Sequence, residues 1–134
     1  MAILPNGAGG YQVGDGNLNE VILGVQPAPT TYTANATASL TVADLETGLV
    51  VYTQTNANNL QLPLASAVEA EVGSAKVNSS FDFFVISTST GVGTLTVNTG
   101  WTLVGSGATP ASGVGAHFRA RKTGDNAYTV YRIA

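Results

Sequence analysis

Cysteine is absent from this chain of 134 residues, and histidine and tryptophan each occur once. Without cysteine there is no disulfide framework, no thiolate metal site and no thiol nucleophile, so durability has to come from packing or oligomerisation. Charge is scarce as well: 10% of the residues are Asp, Glu, Lys or Arg, against roughly 25% in an average soluble domain. Gly, Thr, Ser, Asn and Ala take their place. That composition fits repetitive β structures covered by neighbouring subunits, where fewer exposed positions need charge for solubility. No apolar run approaches the roughly 18 residues of a membrane span, and the N-terminal MAILPNGAGG has neither the basic region nor the long apolar core of a signal peptide. These absences predict no membrane partner, and a protein kept in the cytoplasm where it is made until assembly or lysis.

The few charges are unevenly placed. Asp15, Glu20, Asp44, Glu46, Glu69 and Glu71 fall before residue 76 with no Lys or Arg among them, whereas Lys76, Arg119, Arg121, Lys122 and Arg132 face only Asp82 and Asp125 after it. Two arrangements satisfy this pattern. Either the basic C-terminal hairpin pairs with acidic groups of a neighbouring subunit or an underlying shell, fixing register, or the halves neutralise each other within one monomer. A net charge of −3 and so small a basic cluster argue against a nucleic-acid partner.

Residues 1 to about 18 are dense in Gly, with turn signals at Asn6-Gly7 and Asp15-Gly16. Their apolar anchors Ile3, Leu4, Tyr11 and Val13 are too sparse to bury against one another. They predict either an extended arm that docks elsewhere or a loose terminus. Residues 19–134 read as a single domain, within the size that buries a real core. Glu20 to Val25 is a β-branched strand stopped by Gln26-Pro27-Ala28-Pro29. Ser39 to Val42 and Gly48 to Thr55 read as two strands joined by a turn-like ADLETG insert. Leu64 to Val72, after Pro63 and before Gly73, is the one predicted helix.

The strongest strands come last. In FDFFVIS, Phe81, Phe83 and Val85 alternate with Asp82, Phe84 and Ile86, so both faces are largely apolar and the strand should be central, covered on both sides by a second sheet or a second subunit. In the closing hairpin Val114, Ala116, Phe118 and Ala120 share one face, and His117, Arg119 and Arg121 the other. Thr123 to Asn126 makes the turn, and Tyr128, Val130 and Arg132 alternate with Thr129, Tyr131 and Ile133 on the return. Short strands punctuated every eight to twelve residues predict an all-β fold, a jelly-roll-like antiparallel β sandwich with one short helix and an extended N-terminal arm.

From Leu60 onward the segments follow a spaced pattern: a strand closing on Leu62-Pro63, an Ala-rich stretch ending in Val72-Gly73, F-x-F-x-V-I from Phe81 to Ile86, a Gly-rich hairpin, W-T-L-V-G-S from Trp101, F-R-x-R from Phe118 and Y-T-V-Y-R-I from Tyr128. This pattern resembles a β module recurrent in structural proteins of tailed bacteriophages, and it covers a little over half of the chain. The resemblance implies a virion protein. Such modules sit at the tips of long tail fibres, in head-fibre proteins, or in small capsid decoration (cement) proteins. A chain of this length looks like the last, which implies a homotrimer on the outer capsid surface that clamps the major capsid protein. Ile3, Leu4, Tyr11, Val13, Arg119, Arg121 and Arg132 are then the candidate capsid and inter-subunit contacts. The alternative is a receptor- or glycan-binding head of a tail or fibre protein, with Trp101, Tyr128 and Tyr131 as exposed ligand contacts.

Catalytic chemistry finds little support. His117 lies mid-strand among arginines with no nucleophile turn in the chain. Asp44 with Glu46, and Glu69 with Glu71, are spaced by two and share no helix face, so neither forms a metal site. The glycines of GAGGYQVGDG lack the Lys-Ser/Thr of a phosphate loop. A carbohydrate-active enzyme would need two carboxylates across a groove. The expectation is therefore a non-enzymatic protein without cofactor or metal. Trp101, after Asn98-Thr99-Gly100, reads either as a core or turn-packing group or as an exposed aromatic contact. The sequons at Asn35 and Asn78 are chance matches in a Thr/Ser-rich chain.

Overall fold

The computed structural model describes residues 24–109 and 113–134. The expected arm (residues 1–18, with Ile3, Leu4, Tyr11 and Val13) and most of the Glu20 to Val25 strand lie outside them. Eleven elements follow in order: β1 (Thr30–Tyr32), β2 (Ala38–Ser39), α1 (Val42–Thr47), β3 (Leu49–Tyr52), β4 (Asn58–Gln61), α2 (Ala65–Glu71), β5 (Ser80–Ser87), β6 (Gly93–Thr96), β7 (Trp101–Val104), β8 (Val114–Gly124) and β9 (Ala127–Arg132). The mostly β reading holds, with two sheets and two short helices among the described residues. Among the described residues one sheet has six strands in the order β1-β3-β5-β8-β9-β7, the other three in the order β2-β4-β6.

The antiparallel expectation is corrected. Among the described strands only β5 with β8 and β8 with β9 pair antiparallel; β1-β3, β3-β5, β2-β4, β4-β6 and β7-β9 are parallel. The chain makes three similar passes, β1 then β2, β3 then β4, β5 then β6. Each lays one strand in the large sheet, turns, and lays one in the small sheet, beside the strands of the pass before. Tyr32 stands next to Tyr52 and Tyr52 next to Ser87; Ala38 stands next to Leu60 and Leu60 next to Leu95. Parallel neighbours cannot be joined by a tight turn and need a crossover. The small-sheet strand and the helix after it supply that crossover twice.

The first crossover helix was expected as a turn. A capping box forms α1: the Thr41 hydroxyl accepts from the Asp44 amide at 3.2 Å, and the Asp44 carboxylate accepts from the Thr41 amide at 2.9 Å. Gly48, at φ 75°, then ends the helix in the left-handed region. The strands read at Ser39 to Val42 and Gly48 to Thr55 shorten to Ala38–Ser39 and Leu49–Tyr52 and are not joined by a turn, because α1 carries the chain from the small sheet back to the large one. The second helix, α2, falls inside the predicted Leu64 to Val72 stretch.

The core lies between the sheets. Val50, Tyr52, Phe83, Val85, Ala116, Phe118, Ala120, Tyr128 and Val130 point inward from the large sheet towards Leu60, Leu62 and Leu95. Phe83 and Phe118 stack with ring centroids 5.5 Å apart. β5 is central between β3 and β8, as expected, yet it is covered on one face alone among the described residues: Phe83 and Val85 are buried, while Phe84 is 45% exposed.

Close stacking leaves no room at two glycines. A Cβ on Gly91 would stand 2.3 Å from the Asn56 carbonyl oxygen in the turn of the previous pass, and one on Gly107 would stand 2.1 Å from the Leu95 carbonyl oxygen. Gly91→Ala should therefore destabilise the protein by about 2 kcal/mol through forced backbone displacement. Gly24→Ala, where nothing lies within 4 Å, should leave the thermal midpoint unchanged. Equal midpoints for the two variants would contradict the close packing of the passes.

Candidate functional site

Among the described residues, carboxylates meet side-chain hydrogen-bond donors in three places. At the first, Asp44 is buried and accepts from the Thr30 hydroxyl at 2.6 Å and from the Tyr32 hydroxyl, besides its own capping bond. Burial pushes its carboxyl up, but the bonds from Thr30, the Thr41 amide and Tyr32 outweigh that and hold it below the ordinary value. Burial, reinforced by the same carboxylate, raises the Tyr32 phenol. Every partner comes from β1 or the start of α1, so this cluster fixes the first pass.

At the second, Lys122 of β8 reaches Glu69 of α2 and donates to the Ala75 carbonyl oxygen at 3.0 Å, while the Tyr128 hydroxyl donates to the other Glu69 oxygen at 3.1 Å. The Lys122 side chain is 6% exposed. The hydrogen bond from Lys122 is the main cause holding Glu69 below its usual value, against partial desolvation. Burial and Glu69 push the Tyr128 phenol up to about 12. Here a cation of the basic half neutralises a carboxylate of the acidic half within one chain.

The third lies on the outer face of the large sheet. Asp82 on β5 stands opposite Arg119 on β8, and Phe84 opposite His117. Arg119 grips Asp82 with two hydrogen bonds, at 2.7 and 3.1 Å. His117 Nε2 lies 3.2 Å from Asp82 Oδ2, but that buried nitrogen has no aligned hydrogen-bond partner among the described residues. The Phe84 ring stacks on the imidazole with centroids 4.4 Å apart. Arg121 donates to the Tyr131 hydroxyl at 2.8 and 3.0 Å and to Asn78 at 2.8 Å. Leu49 and Val51 of β3 pair with Phe84 and Ile86, so an apolar strip adjoins the charged one. Val104 and Ile133 are also exposed.

The arginines expected to act together are divided. Arg119 and Arg121 share this face. Arg132 is on the opposite side of β9, where its guanidinium donates to the carbonyls of Ser106 and Ala108 at 3.3 and 2.5 Å and lies 5.5 Å from the Phe118 ring. It closes the end of the core. Trp101 as an exposed aromatic contact is corrected: it is 7% exposed, its indole donates to the Pro63 carbonyl at 2.8 Å, and its ring lies 5.3 Å from Tyr128. Tyr128 is likewise buried, leaving Tyr131 as the partly exposed member of that trio. Asn35 and Asn78 both adopt positive φ, 50° and 75°, so they are turn residues.

An apolar cleft of about 230 Å³ opens between the helices and β5, lined chiefly by Val42, Leu45, Val68, Val72 and Phe81. No group of three or more His, Asp or Glu residues able to hold a metal ion occurs among the described residues, and no described helix is long and apolar enough to cross a membrane. The outer sheet face is thus the candidate functional surface. Phe84, Leu49 and Val51 were missed as surface residues because the apolar character of both faces of β5 pointed to burial; the signal was present in the alternation, without the second covering layer.

Hydrogen bonding from Arg119 is the main cause lowering the Asp82 carboxyl from 3.8 to about 2. A depressed folded-state value means that the pair stabilises the fold fully above pH ~4 and loses that contribution as pH falls towards 2. The stability gap between the parent protein and Asp82→Asn, read from denaturant unfolding, should be widest near neutrality and should narrow through that window; a gap independent of pH would remove the pair as a source of stability. Comparison of the chain with protein-family models, with curated proteins and with solved structures yields no match in any of the three.

Proposed function

We propose that this chain is a non-enzymatic structural protein of a tailed-phage virion, a capsid decoration (cement) protein that sits as a homotrimer on the outer capsid surface and stabilises the shell formed by the major capsid protein. The observation that carries the reading is the outer face of the large sheet. Leu49, Val51, Phe84 and Ile86 form an apolar strip beside the Asp82–Arg119 pair on a rigid sheet. An apolar strip bordered by hydrogen-bonded charge suits association with another protein: burial gives the affinity, and the charges set the register. The charge-poor composition fits a surface shared among subunits. The strand pattern from Leu60 onward, with its resemblance to phage structural modules, supplies the setting.

Cementing also suits the size of the contact. Each protomer offers a modest area, but a trimer engages several shell subunits at once, and the effective concentration of the second and third contacts multiplies weak affinities. The arm of residues 1–18 belongs to the proposal as an extension from the trimer onto the shell. The receptor- or glycan-binding alternative loses its aromatic platform, since Trp101 and Tyr128 are committed to the core.

Quantitative mass spectrometry of purified particles should find hundreds of copies, near parity with the major capsid protein. A handful of copies would move the chain to the tail, and none would end the virion reading. Phe84→Glu should lower trimer or shell association at least about tenfold, the scale of losing one central apolar contact, while leaving the circular-dichroism spectrum of the folded protein intact. Undiminished association with an intact fold would exclude this face.

A further inference from the structure

The outer face of the large sheet carries a projection and a gap side by side. Register sets its outward residues in rows across β3, β5 and β8: Leu49, Phe84 and His117 in one row, Val51, Ile86 and Gly115 in the next. Phe84, stacked on the imidazole, is 45% exposed and projects from the first row. Gly115 opens a gap in the second, beside Ile86 and one outward position before His117.

The packing of one chain does not account for that glycine. Gly115 lies within β8 in unbroken register with β5. A Cβ built on it would meet its nearest described neighbours, Ile86 Cγ1 and the Val85 carbonyl oxygen, at 3.6 Å, an ordinary contact. An alanine fits there, in contrast to Gly91 and Gly107. Glycine weakens a strand, and one that its own strand does not need marks a place where another chain comes close.

The charges of this face suit a second copy of the chain. Rotational symmetry brings residues near the axis towards their own counterparts, so unbalanced charge there would repel itself. Asp82 and Arg119 hold each other in the row beside Phe84. Arg121, with Tyr131 and Asn78 as its partners, stands two outward positions beyond His117 on β8, about 13 Å away by strand rise and outside the screening length of about 8 Å at physiological salt. The rows that hold Phe84 and Gly115 are apolar apart from the imidazole.

We propose, resting on the reading above of a homotrimeric structural protein, that this face is the contact between protomers, with Phe84 of one copy seated in the gap at Gly115 of the next. Projection and gap lie on the same face of every copy, so each protomer gives one and receives one, and the contact closes around a rotation axis. Burial of Leu49, Phe84 and Ile86 supplies the affinity. Other surfaces of the trimer then meet the shell.

Light scattering of the intact protein without shell should give three chain masses at micromolar concentration. Gly115→Trp fills the gap from outside the sheet and should weaken self-association at least about tenfold, the scale of one central apolar contact, with an unchanged circular-dichroism spectrum. The chain has one histidine, so the ring resonances of His117 report on the parent protein without any substitution, and they should shift on dilution from trimer to monomer. A folded Gly115→Trp variant that keeps the parent's mass, or His117 resonances that stay fixed while the mass changes, would overturn this contact and leave the homotrimer to another surface. A parent that stays at one chain mass would also overturn it, and the copy number in purified particles then decides the virion reading separately.

Discussion

Parallel stacking of successive passes is the constraint on which the other features depend. Once Tyr32, Tyr52 and Ser87 stand in line, and Ala38, Leu60 and Leu95 in another, each pass must leave the large sheet, cross the small one and return before pairing again. The small sheet and both helices are consequences of that path. So is the core, because the inward positions of neighbouring passes fall side by side and exclude water between the two sheets. The tolerance is tight, and glycine is required where a turn of one pass lies against the backbone of another.

The C-terminal half closes this stack in a different manner. β8 joins the stack antiparallel to β5, and β9 then carries β7 on its far side. Polar contacts at two places lock the addition. Lys122 and Tyr128 bind Glu69 across more than fifty residues of sequence, and Arg132 holds the loop after β7 through its carbonyls. A buried ion pair contributes little net stability against hydrophobic residues of the same shape, but breaking it leaves an unpaired charge in the interior. Such pairs penalise any other seating of the hairpin on α2. The charge asymmetry between the two halves is therefore resolved within the chain at this point. On the outer face Asp82 takes Arg119 from its own sheet, and Arg121 is held by Tyr131 and Asn78.

What remains for other molecules is a sheet face with few charges, each already hydrogen-bonded, beside exposed apolar side chains. Prepaired charge lowers the desolvation cost of bringing another surface against it, since the carboxylate and guanidinium keep each other as partners when water leaves. Rigidity adds to this, because β5 and β8 run side by side over eight paired positions and little conformational entropy is left to lose on association.

Much of the architecture was legible in the residues. The alternation in FDFFVIS and in Val114 to Arg121 gave the inner and outer faces of β5 and β8, the Pro63 to Gly73 interval gave α2, and Asp125-Asn126 gave the hairpin turn, because each is a local pattern with a local cause. The helix α1 was legible as well, in the capping residues Thr41 and Asp44, but ADLETG has the look of a turn until those two are read together. The parallel order was less legible: the interval of eight from Tyr52 to Leu60 recurs from Ser87 to Leu95, but the first pass spans six from Tyr32 to Ala38, so the register appears only when the passes are superposed. The surface site was less accessible: Phe84 is apolar in an apolar strand, and its exposure depends on the second sheet covering one side alone. The sequence by itself determined which residues alternate, which segments turn and how little charge the surface carries, since these follow from neighbours along the chain. The tertiary structure alone decided that Trp101 and Tyr128 go inside, that Arg132 parts from Arg119 and Arg121, and that Asp82 meets Arg119, since these depend on strands that are distant in sequence lying side by side in a particular register.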